Sequence, residues 1–85
     1  MREVRVMRTY HPRSYSQQAR RFAQRYIEVT ISNYETNGVE AGQECERETV
    51  AYFSKSYRHP LITTRAAGIY GRKMREYKKK KGLAN

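Results

Sequence analysis

The chain has 85 residues, with 18 Lys and Arg against 8 acidic groups and a formal net charge of +10 at pH 7. Its one cysteine, Cys45, leaves no pair for a disulfide scaffold. No stretch approaches the roughly 20 apolar residues that a bilayer-crossing helix needs, and the length bounds the chain to one small domain.

Val, Ile, Leu and Phe together number 13, about 15% of the chain, a level that with high net charge borders on disorder. Eight tyrosines offset part of that deficit, because a tyrosine buries its ring while its hydroxyl finds water or a partner. Small size and self-repulsion together point to a marginal free fold completed by an anionic partner. The charge is uneven. Residues 1–26 carry +6, residues 27–54 carry −5 and residues 55–85 carry +9. Twelve of the cations are Arg and six are Lys, four of the Lys being consecutive at 78–81. Arg presents a planar fork for phosphate or carboxylate, whereas Lys is a hydrated point charge. The body is therefore suited to directional contacts and the end to diffuse ones.

In chain order, residues 2–9 alternate, with Val4 and Val6 on one face, and predict a short strand. His11-Pro12 breaks it. Ser14 or Ser16 then caps a basic helix over about 14–25, with Ala19, Phe22, Ala23 and Tyr26 at helical spacing. Residues 27–32 (IEVTIS) alternate and are mostly β-branched, which favours a strand; a helix continuing to Asn37-Gly38 is the competing reading. Residues 33–47 hold two Gly and four Glu and predict an acidic loop. Residues 48–56 read as a second strand or as a helix with Thr49, Tyr52 and Phe53 on one side. After His59-Pro60, Thr63 or Thr64 opens a second basic helix over 63–81, ended by Gly82. The expected fold is α+β in a single small domain, 1–77, followed by a lysine-rich tail, 78–85; a mostly α three-helix arrangement is the alternative.

The catalytic inventory is thin: two His, each preceding a Pro, one Cys between two Glu, and no Asp. Carboxylates beside Cys45 disfavour a thiolate, and no metal-ligand spacing occurs. A non-enzymatic protein without metal or cofactor is the expectation. Gly68-Ile69-Tyr70-Gly71-Arg72-Lys73 resembles the GxxG loop of KH domains over about ten residues, a loop that lets backbone approach a sugar-phosphate chain in that family. The flanking elements of that family do not surround it. The run from Ile62 through Arg75-Glu76-Tyr77 to Gly82-Leu83 resembles the helix-turn-helix of MerR-type regulators, with its internal Gly at another offset and no wing. Neither resemblance carries the assignment. Ala67 and Gly71, four apart, make a bare helical stripe that permits close approach of a helix or a ligand.

The strongest texture is arginine within two positions of tyrosine, as at Arg25-Tyr26, Tyr70-Arg72 and Arg75-Tyr77. Arg can hold a phosphate while Tyr stacks on an unpaired base. The leading expectation is a small nucleic-acid-binding protein, RNA preferred over DNA, with a ribonucleoprotein as the setting it suggests. Arg20, Arg21, Arg25, Arg65, Arg72, Lys73, Arg75, Lys78, Lys79, Lys80 and Lys81 would contact phosphates, and Tyr70 and Tyr77 would stack. The alternative is a basic linker or assembly subunit binding acidic protein surfaces in a large complex of light-harvesting, capsid or respiratory type, since Arg and Tyr are also enriched at protein interfaces. A membrane-surface role ranks low for want of bulky apolar residues opposite the charge. The lone Cys suggests a reducing intracellular compartment, cytoplasmic by default. The Arg-rich first 25 residues leave an organelle matrix open.

Overall fold

The structure, a computed structural model, describes residues 12–56 and 58–83. They form three helices: α1 (Pro12–Asn37), α2 (Val39–Lys55) and α3 (Pro60–Lys81). There is no strand among the described residues, so the expected α+β fold gives way to a three-helix bundle. The expected N-terminal strand, 2–9, lies outside the described residues.

The 27–32 segment is helical because tertiary burial overrides its β-branched propensity. Ile27, Thr30 and Tyr34 are buried, continuing the face of Ala19, Phe22 and Ala23, while Val29 is turned outward. A strand would have put Ile27, Val29 and Ile31 together on one face. No Gly or Pro interrupts the run, so α1 continues to Gly38, whose φ of 100° stops it. Ser14 and Ser16, expected as caps, lie inside α1, which opens at Pro12. The acidic 33–47 loop is likewise absent. Apart from Gly38 those residues are helical, and the turn between α1 and α2 is that single glycine.

The 48–56 strand is corrected for the same reason. Thr49 and Phe53, four apart, are buried on α2 together with Gly42, and Val50 and Tyr52 face out. Helix α3 begins slightly before the expected Thr63. Pro60 occupies the first turn, where its missing N–H costs nothing, and His59 accepts the Leu61 N–H on its ring at 3.1 Å. Gly82 closes α3 in the left-handed region, and the Leu83 N–H reaches back to the Lys78 carbonyl at 2.8 Å. Lys78–Lys81, read from sequence as a tail, form the last turn of α3, where positive charge meets the negative end of the helix dipole.

The helices run up, down and up. At one end Tyr15 stacks on His59 at 4.6 Å, and Arg65 donates to Ser16 Oγ at 2.7 Å. At the other, Tyr34 packs against Tyr77 and donates to Glu46. Helices α1 and α3 are therefore parallel, with α2 antiparallel to both. The core is small and aromatic: Phe22, Phe53 and Tyr70 pack with ring centroids 5.1 and 5.5 Å apart along the series, and Ala19, Ala23 and Ala66 are wholly buried among them. Tyr70 hydroxyl lies 2.7 Å from Thr30 Oγ1. Thr30 donates to the Tyr26 carbonyl at 2.8 Å, so the Tyr70 hydroxyl donates to Thr30.

Gly42 is where α2 lies flat against the Tyr34 ring; a Cβ there would clash with the ring carbons. Gly68, in the middle of α3, has open space around its Cβ position. The two glycines should respond oppositely to alanine. Gly42→Ala is expected to destabilise the fold by about 1–3 kcal/mol through overpacking, whereas Gly68→Ala should stabilise it by about 1 kcal/mol through helix propensity. Urea unfolding of the two variants checks both signs.

Candidate anion-binding groove

Parallel α1 and α3 leave a groove on the surface between them, and arginines line it. One hollow, of about 510 Å³, is bounded by Ser16, Arg20, Arg65, Gly68, Ile69, Arg72 and Arg75. A second, of about 420 Å³, shares Arg72 and Arg75 and runs on to Glu76, Lys79 and Leu83. On α3 the cations at 65, 72, 75 and 79 recur on one helical face. From Arg65 to Lys79 the track is about 21 Å long at 1.5 Å per residue. Helix α1 contributes Arg20 from the opposite wall. The floor is half-buried Ile69 and bare Gly68, so a ligand can approach the α3 backbone there.

Among the described residues, no carboxylate lies within ion-pair distance of Arg20, Arg65, Arg72 or Arg75; Glu76 is instead 4.0 Å from Lys73. Arg65 alone is anchored, through its bond to Ser16. Four guanidinium forks thus face solvent along one groove, an arrangement that selects anions with planar or tetrahedral oxygens.

The other residues expected at the site divide. Arg21 and Arg25 line a separate hollow with Gln18, Phe22 and Arg58. Lys73 and Lys80 are exposed outside the groove. Lys78 is drawn inward, its ammonium 3.0 Å from Glu46 with only 13% of the side chain exposed. Lys81 stands 3.9 Å from Glu35 and 6.0 Å above the Tyr77 ring.

The tyrosines expected to stack on bases are committed elsewhere. Tyr70 is 1% exposed and spans from α3 to Thr30 on α1. Tyr77 is half-buried against Tyr34, and its hydroxyl donates to Glu35 at 3.3 Å. Their pairing with neighbouring arginines in sequence carries no spatial meaning, because residues two apart on a helix point about 200° apart. Sequence reasoning also missed Arg58, Ser16 and Ile69. Arg58 comes from the turn before α3, and nothing in its local sequence links it to α1.

Among the described residues no three His, Cys, Asp or Glu side chains gather to hold a metal ion, and no helix is long and apolar enough to cross a membrane. Cys45 is half-buried, with its Sγ 3.5 Å from Thr30 Oγ1. Comparison with family models, curated proteins and solved structures finds no match to this chain.

Burial raises the hydroxyl pKa of Tyr70 and Tyr34, with Glu46 beside Tyr34 opposing its ionisation further. These hydroxyls keep their protons in the fold beyond the ordinary tyrosine pKa of 10.0, whereas the unfolded chain loses them there. Their stabilisation is complete below about pH 10 and is lost as the pH climbs past it. The melting temperature should therefore stay level from about pH 7 to 9 and fall steeply above about pH 10. Circular dichroism melts across that range would reveal a level profile to higher pH if the hydroxyls were solvated instead.

Proposed function

We propose that this protein is a small non-enzymatic assembly subunit whose α1–α3 groove docks an acidic segment of a partner protein. The observation that carries the reading is the groove itself: Arg20, Arg65, Arg72 and Arg75 surround Gly68 and Ile69 in one hollow, and Arg72, Arg75 and Lys79 stand with Leu83 and Glu76 in the next. Guanidinium forks pair bidentately with Asp and Glu. An apolar floor between them offers a seat to aliphatic side chains, the mixture found at protein interfaces. A single-stranded nucleic acid would supply phosphates and would gain further from aromatic faces on which its bases stack. Tyr70 and Tyr77 are occupied by Thr30, Tyr34 and Glu35, so the RNA reading is left with charge as its support.

The two partners differ in a measurable way. Fluorescence anisotropy at about 150 mM salt would compare a peptide carrying alternating acidic and aliphatic residues with a single-stranded RNA of equal charge. The peptide should bind at least about tenfold more tightly, and charge reversal at both Arg65 and Arg72 (R65E/R72E) should weaken it by about a hundredfold. Tighter binding of the RNA would overturn the proposal in favour of a nucleic-acid partner.

A further inference from the structure

A second arginine cluster sits around α1 from the groove. Gln18, Arg21, Phe22 and Arg25 share one face of α1, at i, i+3, i+4 and i+7, and Arg58 reaches them from the turn before α3. Together they bound a hollow of about 190 Å³. The Arg58 guanidinium lies over the Phe22 ring, 4.4 Å from its centroid, and its backbone N–H is bonded to Ser56 Oγ at 3.1 Å. Phe22 is itself wedged between Tyr26 and Phe53, so the platform under Arg58 belongs to the core.

Arg21 and Arg25 are one helical turn apart, a spacing at which like charges repel. Arg58 adds a third positive charge to the same hollow. Among the described residues no carboxylate lies within ion-pair distance of any of the three. Such a cluster is relieved by an anion that meets all three forks at once. A carboxylate has two oxygens and one charge, whereas a phosphoryl group has three terminal oxygens and a charge approaching −2. Contact with the Phe22 ring holds the Arg58 guanidinium in place in advance, which lowers the ordering cost on binding.

We infer that Arg21, Arg25 and Arg58 form a phosphoryl-binding site, built to take a dianionic phosphate group, either free inorganic phosphate or the phosphomonoester of a phosphorylated side chain. The site is independent of what occupies the α1–α3 groove, since the two share no residue.

The test is a titration of the full chain followed by ¹H–¹⁵N NMR of the arginine side chains, at about pH 7.5, where the phosphoryl group is mostly dianionic. The probes are inorganic phosphate, a phosphoserine peptide and its unphosphorylated counterpart, with sodium chloride as the ionic-strength control. Saturable shifts should appear at Arg21, Arg25 and Arg58 with phosphate and not with chloride. The phosphoserine peptide should bind at least about tenfold more tightly than its serine counterpart. Arg58→Gln should weaken phosphate binding about tenfold, Arg58→Lys by less, and Arg65→Gln should leave it unchanged. A phosphoserine peptide that outcompetes inorganic phosphate would assign the site to a modified protein, and equal affinity would assign it to the free ion. Equal weakening by Arg58→Gln and Arg65→Gln, or chloride shifts matching those of phosphate, would overturn the proposal, because both describe a diffuse cationic surface. Failure of the acidic peptide in the groove would leave these outcomes untouched.

Discussion

Glu46 is the point at which the three helices are tied. From α2 its carboxylate accepts the Tyr34 hydroxyl of α1 at 2.6 Å and the Lys78 ammonium of α3 at 3.0 Å. All three groups are partly shielded from water, where a charge-assisted bond is strong and an unpaired charge is costly. The Tyr34 ring can reach Glu46 only because Gly42 offers no side chain on the intervening surface of α2. A second tie, Tyr70 to Thr30, joins α3 to α1 deeper in the core. A core this poor in aliphatics relies on tyrosine for volume, and every tyrosine buried brings a hydroxyl that must be satisfied. The described residues meet that demand: none of their buried side-chain polar atoms lacks a hydrogen-bond partner.

That internal chemistry also shapes the surface. Glu46 and Glu35 of the acidic middle segment neutralise Lys78 and Lys81 of the last turn, and Glu76 stands near Lys73. Glu35 further accepts the Tyr77 hydroxyl. The carboxylates are thus spent mainly on lysines and tyrosines, while Arg47, paired with Glu44 on the same helix, is the one arginine so engaged among the described residues. Arg20, Arg65, Arg72 and Arg75 remain open to solvent in one cluster, and Arg21, Arg25 and Arg58 in another. The groove and the Arg58 hollow are consequences of which cations the fold neutralises, as much as of how many it carries.

Part of this was legible in the residues. Ala19, Phe22, Ala23 and Tyr26 at helical spacing, Pro60 opening α3 and Gly82 closing it are local signals, and local chemistry decides them. IEVTIS misled because alternation over six residues satisfies a strand, while the helical face it also fits is visible only beside Phe22 and Tyr34. The acidic 33–47 segment looked like a loop because of Gly38 and Gly42. One of these is a turn; the other is a contact surface for a ring eight residues away in sequence. Tyr70 and Tyr77 beside arginines looked like a stacking site, but adjacency along a helix separates side chains instead of gathering them.

By itself the sequence determined the helix-forming potential of the N- and C-terminal basic segments, the excess of arginine, the lack of disulfide or metal-ligand patterns and the need for tyrosine in the core. These follow from composition and from interactions within a few residues. The tertiary structure alone decided that the middle is helical, that Glu46 and Glu35 turn toward lysine and tyrosine, and that Arg20 meets Arg65 and Arg58 meets Arg21. Those pairings join residues up to 46 positions apart, as Glu35 and Lys81 are. They depend on which helix faces pack together, a choice made by burial across the whole bundle and written in no local stretch of the chain.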